Sequence, residues 1–189
     1  MNRSELLAAL ARHRPATAQE GQHLAATIDF VSRHEHCCRR SLAVGHITAS
    51  SWIIDQDASH ALLTHHRKLD RWLQLGGHVE DDSDVLAAAL REAREESGLA
   101  TLHAVDDGIF DIDVHPIPAR RDEPAHHHYD VRFLLQADRG AQLTISDESH
   151  DLRWFSLAEL CALPGDESIR RMVDKMQRRA DTLSPALSR

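Results

Sequence analysis

Cysteine is scarce in this chain, which limits the kinds of fold it can have. The three cysteines are Cys37, Cys38 and Cys161, an odd number with two members adjacent. This arrangement excludes a disulfide framework and fits a reducing compartment. Adjacent cysteines are also poorly spaced for zinc ligation, and no second CxxC motif exists. We therefore expect no structural zinc site at the HCC triplet of residues 36–38.

The sequence also lacks a long apolar segment. No apolar run approaches the length of about 20 residues that a membrane-spanning helix needs. The N-terminal stretch MNRSELLAALARHRP has a short apolar patch, but Glu5 interrupts the approach to it. We interpret it as a helix and not as a signal peptide, and we expect a cytoplasmic location.

Positive charge is in deficit, with a formal net charge of −8 over 189 residues. Such a balance disfavours a broad surface for nucleic acid or anionic membrane, so neither partner is expected. It does not exclude a small phosphorylated ligand held by a local metal. Hydrophobic residues make up 42% and charged residues 28%, which is typical of a soluble globular chain with a proper core.

The order of sequence patterns predicts an α/β (α+β layered) fold, in which a mixed β-sheet is sandwiched between helices. Apolar periodicity and end signals predict an N-terminal helical extension and a central helix that ends at Gly98 as its C-cap. The predicted helices cover residues 4–12, 18–33, 83–97 and 167–180, with a short helix after RWFSLAEL (153–160). The predicted strands cover residues 43–55, 60–67, 73–79 (broken by Gly76-Gly77), 101–114 and 129–137.

Histidine is abundant, with 15 copies that include the triplet His126-His127-His128. A histidine tract of this kind can bind metal. The alternative, which we favour, is a partly exposed strand or loop in a histidine-rich chain.

Acidic residues crowd the segment GGHVEDDSDVLAAALREAREESGL at residues 76–99. On a helix, Glu92, Glu95 and Glu96 stand at i, i+3 and i+4 and so share one side. Three converging carboxylates suit a hard, oxygen-seeking cation such as Mg²⁺ or Mn²⁺. A charged helix surface is the alternative, and an isolated REXXEE would more often be that. The whole arrangement of strand, Gly-Gly, acidic loop, helix and Gly98-Leu99 favours a site.

This segment resembles the signature of the Nudix hydrolases. Gly77 opens the pattern, and residues further along fall in register with it: Arg91, Glu92, Ala93, Glu95, Glu96, Gly98 and Leu99. The likeness covers roughly residues 43–163, including RWLQLGGHVE (71–80) and DESHDLRWFSLAEL (147–160). It implies three regions: an N-terminal helical extension (1–40) packing on the main domain, a Nudix domain (41–165), and a C-terminal helix and tail (166–189).

The resemblance implies a role for each matching position. Glu95 and Glu96 would bind a divalent metal, Mg²⁺ or Mn²⁺, and Glu92 would bind it or act as base toward the attacking water. Arg91 would orient the glutamates, and Gly77 would offer its carbonyl to the metal. Glu148, in a late loop, is the candidate for an additional acidic ligand, with Asp147 and Asp151 as competitors.

One position departs from the family pattern. The glutamate expected five residues after Gly77 is Ser83 here, flanked by Asp82 and Asp84. A neighbouring carboxylate could take its place, or Ser83 could be the N-cap of the helix. The departure puts the number of metals and the reaction rate in question more than the fold.

The implied reaction is metal-dependent hydrolysis of a diphosphate linkage, with water attacking phosphorus in line. The substrate would be a nucleoside diphosphate derivative or a related small molecule. The polar segment HPIPARRDEPAHHHYD (115–130) is expected to be a loop, and Arg120, Arg121, His126 and His128 are the candidate substrate-binding residues. The family also permits a homodimer, for which the N-terminal helices could serve.

Two alternatives to this reaction come from the same fold. An isomerase of the isopentenyl diphosphate type needs a cysteine upstream of the glycine-rich turn, and no cysteine lies between residues 39 and 160. A catalytically weak or inactive module that binds nucleotides as a regulator is mildly favoured by Ser83. The intact Glu92, Glu95 and Glu96 favour the enzyme.

Overall fold

The computed structural model describes residues 2–80, 84–120, 123–163 and 167–183. The helices are α1 (Arg3–Arg12), α2 (Ala18–Arg33), α3 (Val85–Ser97), α4 (Leu157–Ala162) and α5 (Glu167–Leu183). The strands are β1 (Gly45–Ile54), β2 (His60–His66), β3 (Arg71–Leu73), β4 (Leu75–His78), β5 (Leu102–Ala104), β6 (Asp111–Ile117), β7 (His126–Ala137) and β8 (Ser149–Ser156). None of the helices in these ranges combines the length and apolar character needed to cross a membrane.

All these strands belong to one mixed sheet organised around β1 and β7. These two strands run parallel, with Gly45–Ile54 in register with His127–Gln136. The sheet order is β3-β2-β1-β7-β5, and β4, β6 and β8 pair antiparallel with β1, β7 and β2. Parallel strands need a long crossover, and α3 lies within the one that joins β1 to β7. The predicted layered fold is confirmed.

One face of this sheet is apolar and packs against helices. Because side chains alternate along a strand, Ile47, Ala49 and Ile53 of β1 share this face with Val131 and Phe133 of β7. They pack with Ala88, Ala89 and Ala93 of α3 and with residues of the N-terminal helices: Leu6, Leu10, Phe30 and Val31. Phe30 stacks on Tyr129 with ring centroids 4.0 Å apart. The N-terminal helices thus contribute to the same core as the sheet. The domain boundaries given above stay a prediction.

The opposite face carries the other half of each strand and is largely polar. We call it the polar face; its central members are His46, Thr48 and Ser50 of β1 and His128, Asp130 and Arg132 of β7. At one end it becomes apolar, where Trp52, Ile54 and Leu134 pack under α4 and α5. The stripe Ile169, Met172, Val173 and Met176 of α5 is buried there, as its sequence period indicates.

The central helix begins and ends with side-chain and backbone caps. Asp84 is the N-cap, and its carboxylate accepts a hydrogen bond from the backbone N–H of Ala87 at 3.0 Å. This corrects the suggestion of Ser83 as N-cap; Ser83 and Asp82 themselves lie outside the described residues. Gly98 is the C-cap with a left-handed φ of 70°, as predicted.

Three predicted segments differ from the observed ones. The strand expected at 73–79 is two strands, β3 and β4, and the glycines lie inside β4 where they pair with Ser50 and Ala49. The strand expected at 101–114 is also two strands, β5 and β6. The expected loop at 115–130 shortens to 118–125, because β6 and β7 pair from Asp111↔Arg132 to Ile117↔His126. Polar composition concealed these strand ends, since His115, His126 and His128 belong to the polar face.

Glu20 links the N-terminal helices to the sheet through buried hydrogen bonds. It is fully buried and accepts from Ala16 N at 2.6 Å, contacts the ring of His13 at 2.7 Å, and accepts from Lys175 of α5. Lys175 also donates to Asp111 of β6. Burial alone would raise the pKa of Glu20, but these hydrogen bonds outweigh it and lower the pKa to about 2.

Replacing Glu20 by Gln should therefore make the protein less stable in a pH-dependent way. A carboxylate with a depressed folded-state pKa stabilises the fold above its ordinary value of 4.5, and this contribution is lost as pH falls toward about 2. We expect Glu20→Gln to lower the free energy of unfolding by about 2–3 kcal/mol at pH 7 and by much less near pH 3. Urea unfolding over this pH range measures the difference. Glu35→Gln, at an exposed position, is the control. An equal loss of unfolding free energy at both pH values would contradict a lowered pKa of Glu20.

Candidate active site

The predicted metal ligands come together where α3 crosses β4. The backbone N–H of Gly76 donates to Glu96 Oε2 at 3.0 Å. A methyl group built on Gly77 would lie 2.6 Å from Oε2 of Glu92, so the carboxylate occupies the space that any other residue at 77 would fill. The glycine at this position therefore permits the close approach of helix and strand.

Arg91 holds two of the glutamates with one guanidinium group. Its Nη1 donates to Glu92 Oε1 at 2.9 Å and to Glu95 Oε2 at 3.1 Å. Its Nη2 donates to the carbonyl oxygen of His78 at 3.0 Å. A planar guanidinium fixes direction as well as charge, so Arg91 orients both carboxylates relative to β4.

The three glutamates do not have equal exposure. Glu95 is open to solvent, with 60% of its side chain exposed, whereas Glu96 is buried with 8% exposed. The sequence placed all three on one side of the helix, but the buried stripe of α3 extends to Glu96 and Ser97. Glu96 therefore lies between the helix and β4 and is not part of the wet surface.

Burial raises the pKa of Glu96 to about 8, and the hydrogen bond from Gly76 only partly opposes this. The carboxylates of Glu92, Glu148 and Glu95 add to the increase through repulsion. The pKa of Glu92 is also raised by burial, in spite of Arg91. Neighbouring carboxylates whose pKa values are all raised are typical of a site that lacks positive charge.

Glu148 lies near these glutamates, since its charge contributes to the raised pKa of Glu96. Its loop is attached to β2 by backbone and side-chain bonds: Arg67 N donates to the Glu148 carbonyl at 2.8 Å, and Arg67 Nε donates to the Asp147 carbonyl at 2.9 Å. Asp151, the alternative candidate for the acidic ligand, lies in β8 opposite His65 of β2. Its carboxylate accepts a hydrogen bond from the backbone N–H of Leu152.

The donor set fits a hard divalent cation. The carboxylates of Glu92, Glu95 and Glu96 gather where α3 and β4 approach closely at Gly77, and the charge of Glu148 acts on Glu96. Mg²⁺ and Mn²⁺ prefer such oxygen ligands. The raised pKa of Glu96, caused first by burial and then by the neighbouring carboxylates, is consistent with this preference.

The predicted substrate-binding residues lie in a different part of the sheet. Arg120 and His126 line a cavity of about 810 Å³ together with Arg40 and Glu123. His128 lies on the polar face, where its ring centroid is 5.2 Å from that of His126. Arg121 lies outside the described residues. The structure thus brings His126 and His128 together, and Arg120 lies at the rim of the same cavity as His126.

Sequence reasoning missed the histidines that surround His128. His46 of β1 and His115 of β6 flank it in register, and His78 of β4 lies beside them. The i, i+2 spacing of His126 and His128 on a strand was the available signal. It could not reveal the other three, because they come from strands distant in sequence.

Comparison with known proteins supports the fold and identifies the family. The family model for the NUDIX domain matches residues 45–176. A sequence search among curated proteins finds no match. A NUDIX family hydrolase from Clostridium perfringens is 25% identical, aligns over 71% of this chain and 97% of its own, and has a TM-score of 0.53.

Two more distant structures share the fold. An Ap4A hydrolase of C. elegans in a binary complex is 17% identical over 72% of this chain and 98% of its own, with a TM-score of 0.58. The dihydroneopterin triphosphate pyrophosphohydrolase of E. coli is 20% identical over 68% of this chain and 92% of its own, with a TM-score of 0.54. Because the family model matches most of the chain, the protein belongs to the NUDIX family and is a Nudix-type pyrophosphate hydrolase.

Proposed function

We propose that the protein hydrolyses a diphosphate linkage in a nucleoside diphosphate derivative or related small molecule, with Mg²⁺ or Mn²⁺ as cofactor. The observation that carries the proposal is the gathering of Glu92, Glu95, Glu96 and Glu148 around β4, with a pKa of about 8 for Glu96. A site with this surplus of negative charge suits a cation and, through it, an anionic substrate.

The carboxylates of Glu95, Glu96 and Glu148 and the carbonyl of Gly77 would hold the cation. A divalent cation bound there supplies charge that neutralises the bridging phosphates and lowers the pKa of a water molecule. Glu92 would accept the proton of the attacking water. Burial raises its pKa, which makes it a stronger base than an exposed glutamate.

Arg91 would act as a positioning residue for both functions. Its bonds to Glu92 and Glu95 keep a base and a metal ligand in one geometry, and its bond to the His78 carbonyl fixes them to β4 next to Gly77. Water that is held by one carboxylate and aimed at phosphorus attacks in line with the departing phosphate oxygen. No nucleophilic serine or cysteine is needed for this reaction.

The cavity beside His126 would receive the part of the substrate beyond the diphosphate. The proposed contacts are Arg120, Arg121 and His126; among the described residues, Arg120 and His126 line the cavity and His128 does not. Arg120 is exposed, and His126 borders the cavity with its Nδ1 atom bonded to the Pro124 carbonyl at 2.9 Å. Arginine at such a rim suits a phosphate or a nucleobase face.

Hydrolysis should depend on Glu95. A screen of ADP-ribose, NADH, nucleoside diphosphate sugars, dinucleoside polyphosphates, coenzyme A and nucleoside triphosphates with Mg²⁺ or Mn²⁺ identifies the substrate. On that substrate we expect Glu95→Gln to lower kcat by about 10² or more, because one metal ligand and one partner of Arg91 are lost. The fold should be retained because the side chain is largely exposed. Glu35→Gln should keep wild-type turnover, and full activity in Glu95→Gln would remove Glu95 from the site.

Enlarging Gly77 should damage the site without unfolding the protein. Its φ is not in the left-handed region, so alanine fits the backbone, but the new methyl must displace the Glu92 carboxylate from 2.6 Å. We expect Gly77→Ala to lower kcat by about 10- to 100-fold with little change in melting temperature. The matched control is Gly21→Ala, where the nearest atom is Pro15 Cγ at 3.7 Å. Unchanged kcat in Gly77→Ala would show that the contact with Glu92 has no catalytic importance.

Arg120 and Arg121 should affect binding more than chemistry. We expect the double variant Arg120→Ala/Arg121→Ala to raise KM by at least about tenfold while kcat changes less, since each charged hydrogen bond to a substrate is worth roughly 1.5–3 kcal/mol. Steady-state kinetics on the substrate found in the screen measures both constants. Arg33→Ala, on the exposed side of α2, is the control. An unchanged substrate profile and KM would exclude this cavity.

A further inference from the structure

A cluster of five histidines occupies one end of the polar face. Its members are His46 of β1, His78 of β4, His115 of β6, and His126 and His128 of β7. The ring centroids of His46 lie 4.7 Å from His128 and 5.0 Å from His78, and His128 lies 5.4 Å from His78. Imidazoles from four strands thus lie within one small volume. Such an arrangement is costly unless these groups bind something.

His46 is the most deeply buried member of the cluster. It is completely buried, and among the described residues neither Nδ1 nor Nε2 has a hydrogen-bond partner. Burying a polar group without a partner costs about 1–3 kcal/mol. A buried ring with both nitrogens unsatisfied is therefore uncommon and calls for a specific explanation.

We propose that His46, His78 and His128 form a binding site for one divalent transition-metal ion of the zinc type, separate from the carboxylate site on α3. One ring nitrogen from each of these residues lies within 4.8 Å of the others. Ligand nitrogens around tetrahedral zinc are about 3.4 Å apart, as follows from Zn–N bonds of 2.0–2.1 Å. Small rotations of three side chains close this difference.

The ligand chemistry selects the class of ion. Three imidazoles suit Zn²⁺, Co²⁺, Ni²⁺ or Cu²⁺, whereas Mg²⁺ prefers oxygen ligands. Burial, together with repulsion from the neighbouring histidines, lowers the pKa of His46 to about 4 and that of His128 to about 3. Each ring is therefore uncharged at neutral pH and has a lone pair to donate.

Two further histidines have the hydrogen bonds expected around a metal site. His126 Nδ1 lies 2.9 Å from the Pro124 carbonyl, which can only accept, so this nitrogen carries the proton. Its Nε2, buried and without a partner among the described residues, keeps its lone pair. His115 Nδ1 lies 3.3 Å from Asp113 Oδ2. Carbonyl and carboxylate partners of this kind orient imidazoles in metal sites, and His126 is in a position to approach as a fourth ligand.

The proposed ion would also fix the strand that carries part of the active site. Gly77 and His78 are neighbours on β4, and their side-chain positions face opposite sides of the sheet. Gly77 faces Glu92 of α3, while His78 lies among the histidines of the polar face. An ion bound to His78 would hold this strand from the far side. This effect on β4 matters for catalysis only if Gly77 has its proposed role. The existence of the histidine site does not depend on that role.

The experiment uses full-length protein without a histidine tag, stripped of metal by a chelator and kept in excess Mg²⁺ without substrate. Mg²⁺ fills the carboxylate site, and Co²⁺ is then titrated as the spectroscopic probe. We expect one equivalent of Co²⁺ to give the intense visible bands of a tetrahedral, nitrogen-ligated ion, and Zn²⁺ to displace it. X-ray absorption at the cobalt edge should show imidazole scattering in the wild-type protein.

His78→Ala and His128→Ala test the assignment of ligands. Each should weaken Co²⁺ binding by more than the about 10- to 100-fold typical of outer partners, because a ligand itself is lost. His127→Ala is the matched control, because His127 sits between His126 and His128 on β7 but is exposed on the opposite face. It should bind Co²⁺ as the wild type does. Circular dichroism verifies that each variant is folded.

Three results would overturn the proposal. Wild-type protein without intense bands, or with oxygen scattering only, excludes the site without reference to any variant. Folded His78→Ala and His128→Ala proteins that bind Co²⁺ as tightly as the wild type would place the ion elsewhere. Loss of binding in His127→Ala alone would have the same meaning. Because no substrate is present, these outcomes are independent of whether the protein hydrolyses a diphosphate.

Discussion

The buried guanidinium of Arg132 is the interaction on which the polar face depends. Its Nε donates to Asp130 of the same strand at 2.7 Å and its Nη1 donates to Asp111 of β6 at 3.0 Å, so it joins the adjacent strands β7 and β6. Asp130 in turn accepts from Ser50 at 2.7 Å and Thr48 at 3.0 Å. Burial opposes the ionisation of Asp130, but the charge of Arg132 outweighs it and lowers the pKa.

This network extends from the sheet into both ends of the chain. Arg171 of α5 donates to both carboxylate oxygens of Asp111, at 2.9 and 2.8 Å, and Lys175 connects Asp111 to Glu20 of α2. Removing one member of a buried ion pair typically costs about 3–5 kcal/mol, because an unpaired charge remains. The N-terminal and C-terminal helices are thus held to the sheet by the same buried carboxylates, in addition to their apolar contacts.

The two groups of acidic residues differ in how their charge is balanced. In the network around Arg132, Arg171 and Lys175, pairing outweighs burial, and the pKa values of Asp130 and Asp113 on the sheet and of Glu20 on α2 are all lowered. Around α3, burial and mutual repulsion prevail, and the pKa values of Glu92 and Glu96 are raised. The direction of the shift therefore separates the carboxylates that are paired within the fold from those that we propose as cation ligands.

The sequence allowed the central helix and its glutamates to be located, because periodicity, Gly98 and the spacing of Arg91 to Glu96 are local signals. The helices at both ends and most strands were predictable for the same reason. The polar face was not. Asp130 and Arg132 look like ordinary surface residues of an edge strand, and their burial depends on the parallel pairing of β1 with β7. His46 and His128 are 82 positions apart by number, and only the strand register makes them neighbours.

The sheet separates two kinds of donor atom on either side of β4. Gly77 faces a group of carboxylate oxygens on α3, and His78 faces a group of imidazole nitrogens on the polar face. Oxygen ligands hold Mg²⁺ or Mn²⁺ in preference, whereas neutral nitrogen ligands retain zinc-type ions much more strongly than Mg²⁺. Two cations of different hardness could therefore occupy this small domain together without exchanging places. The alternation of side chains along one short strand is sufficient to keep the two coordination environments apart.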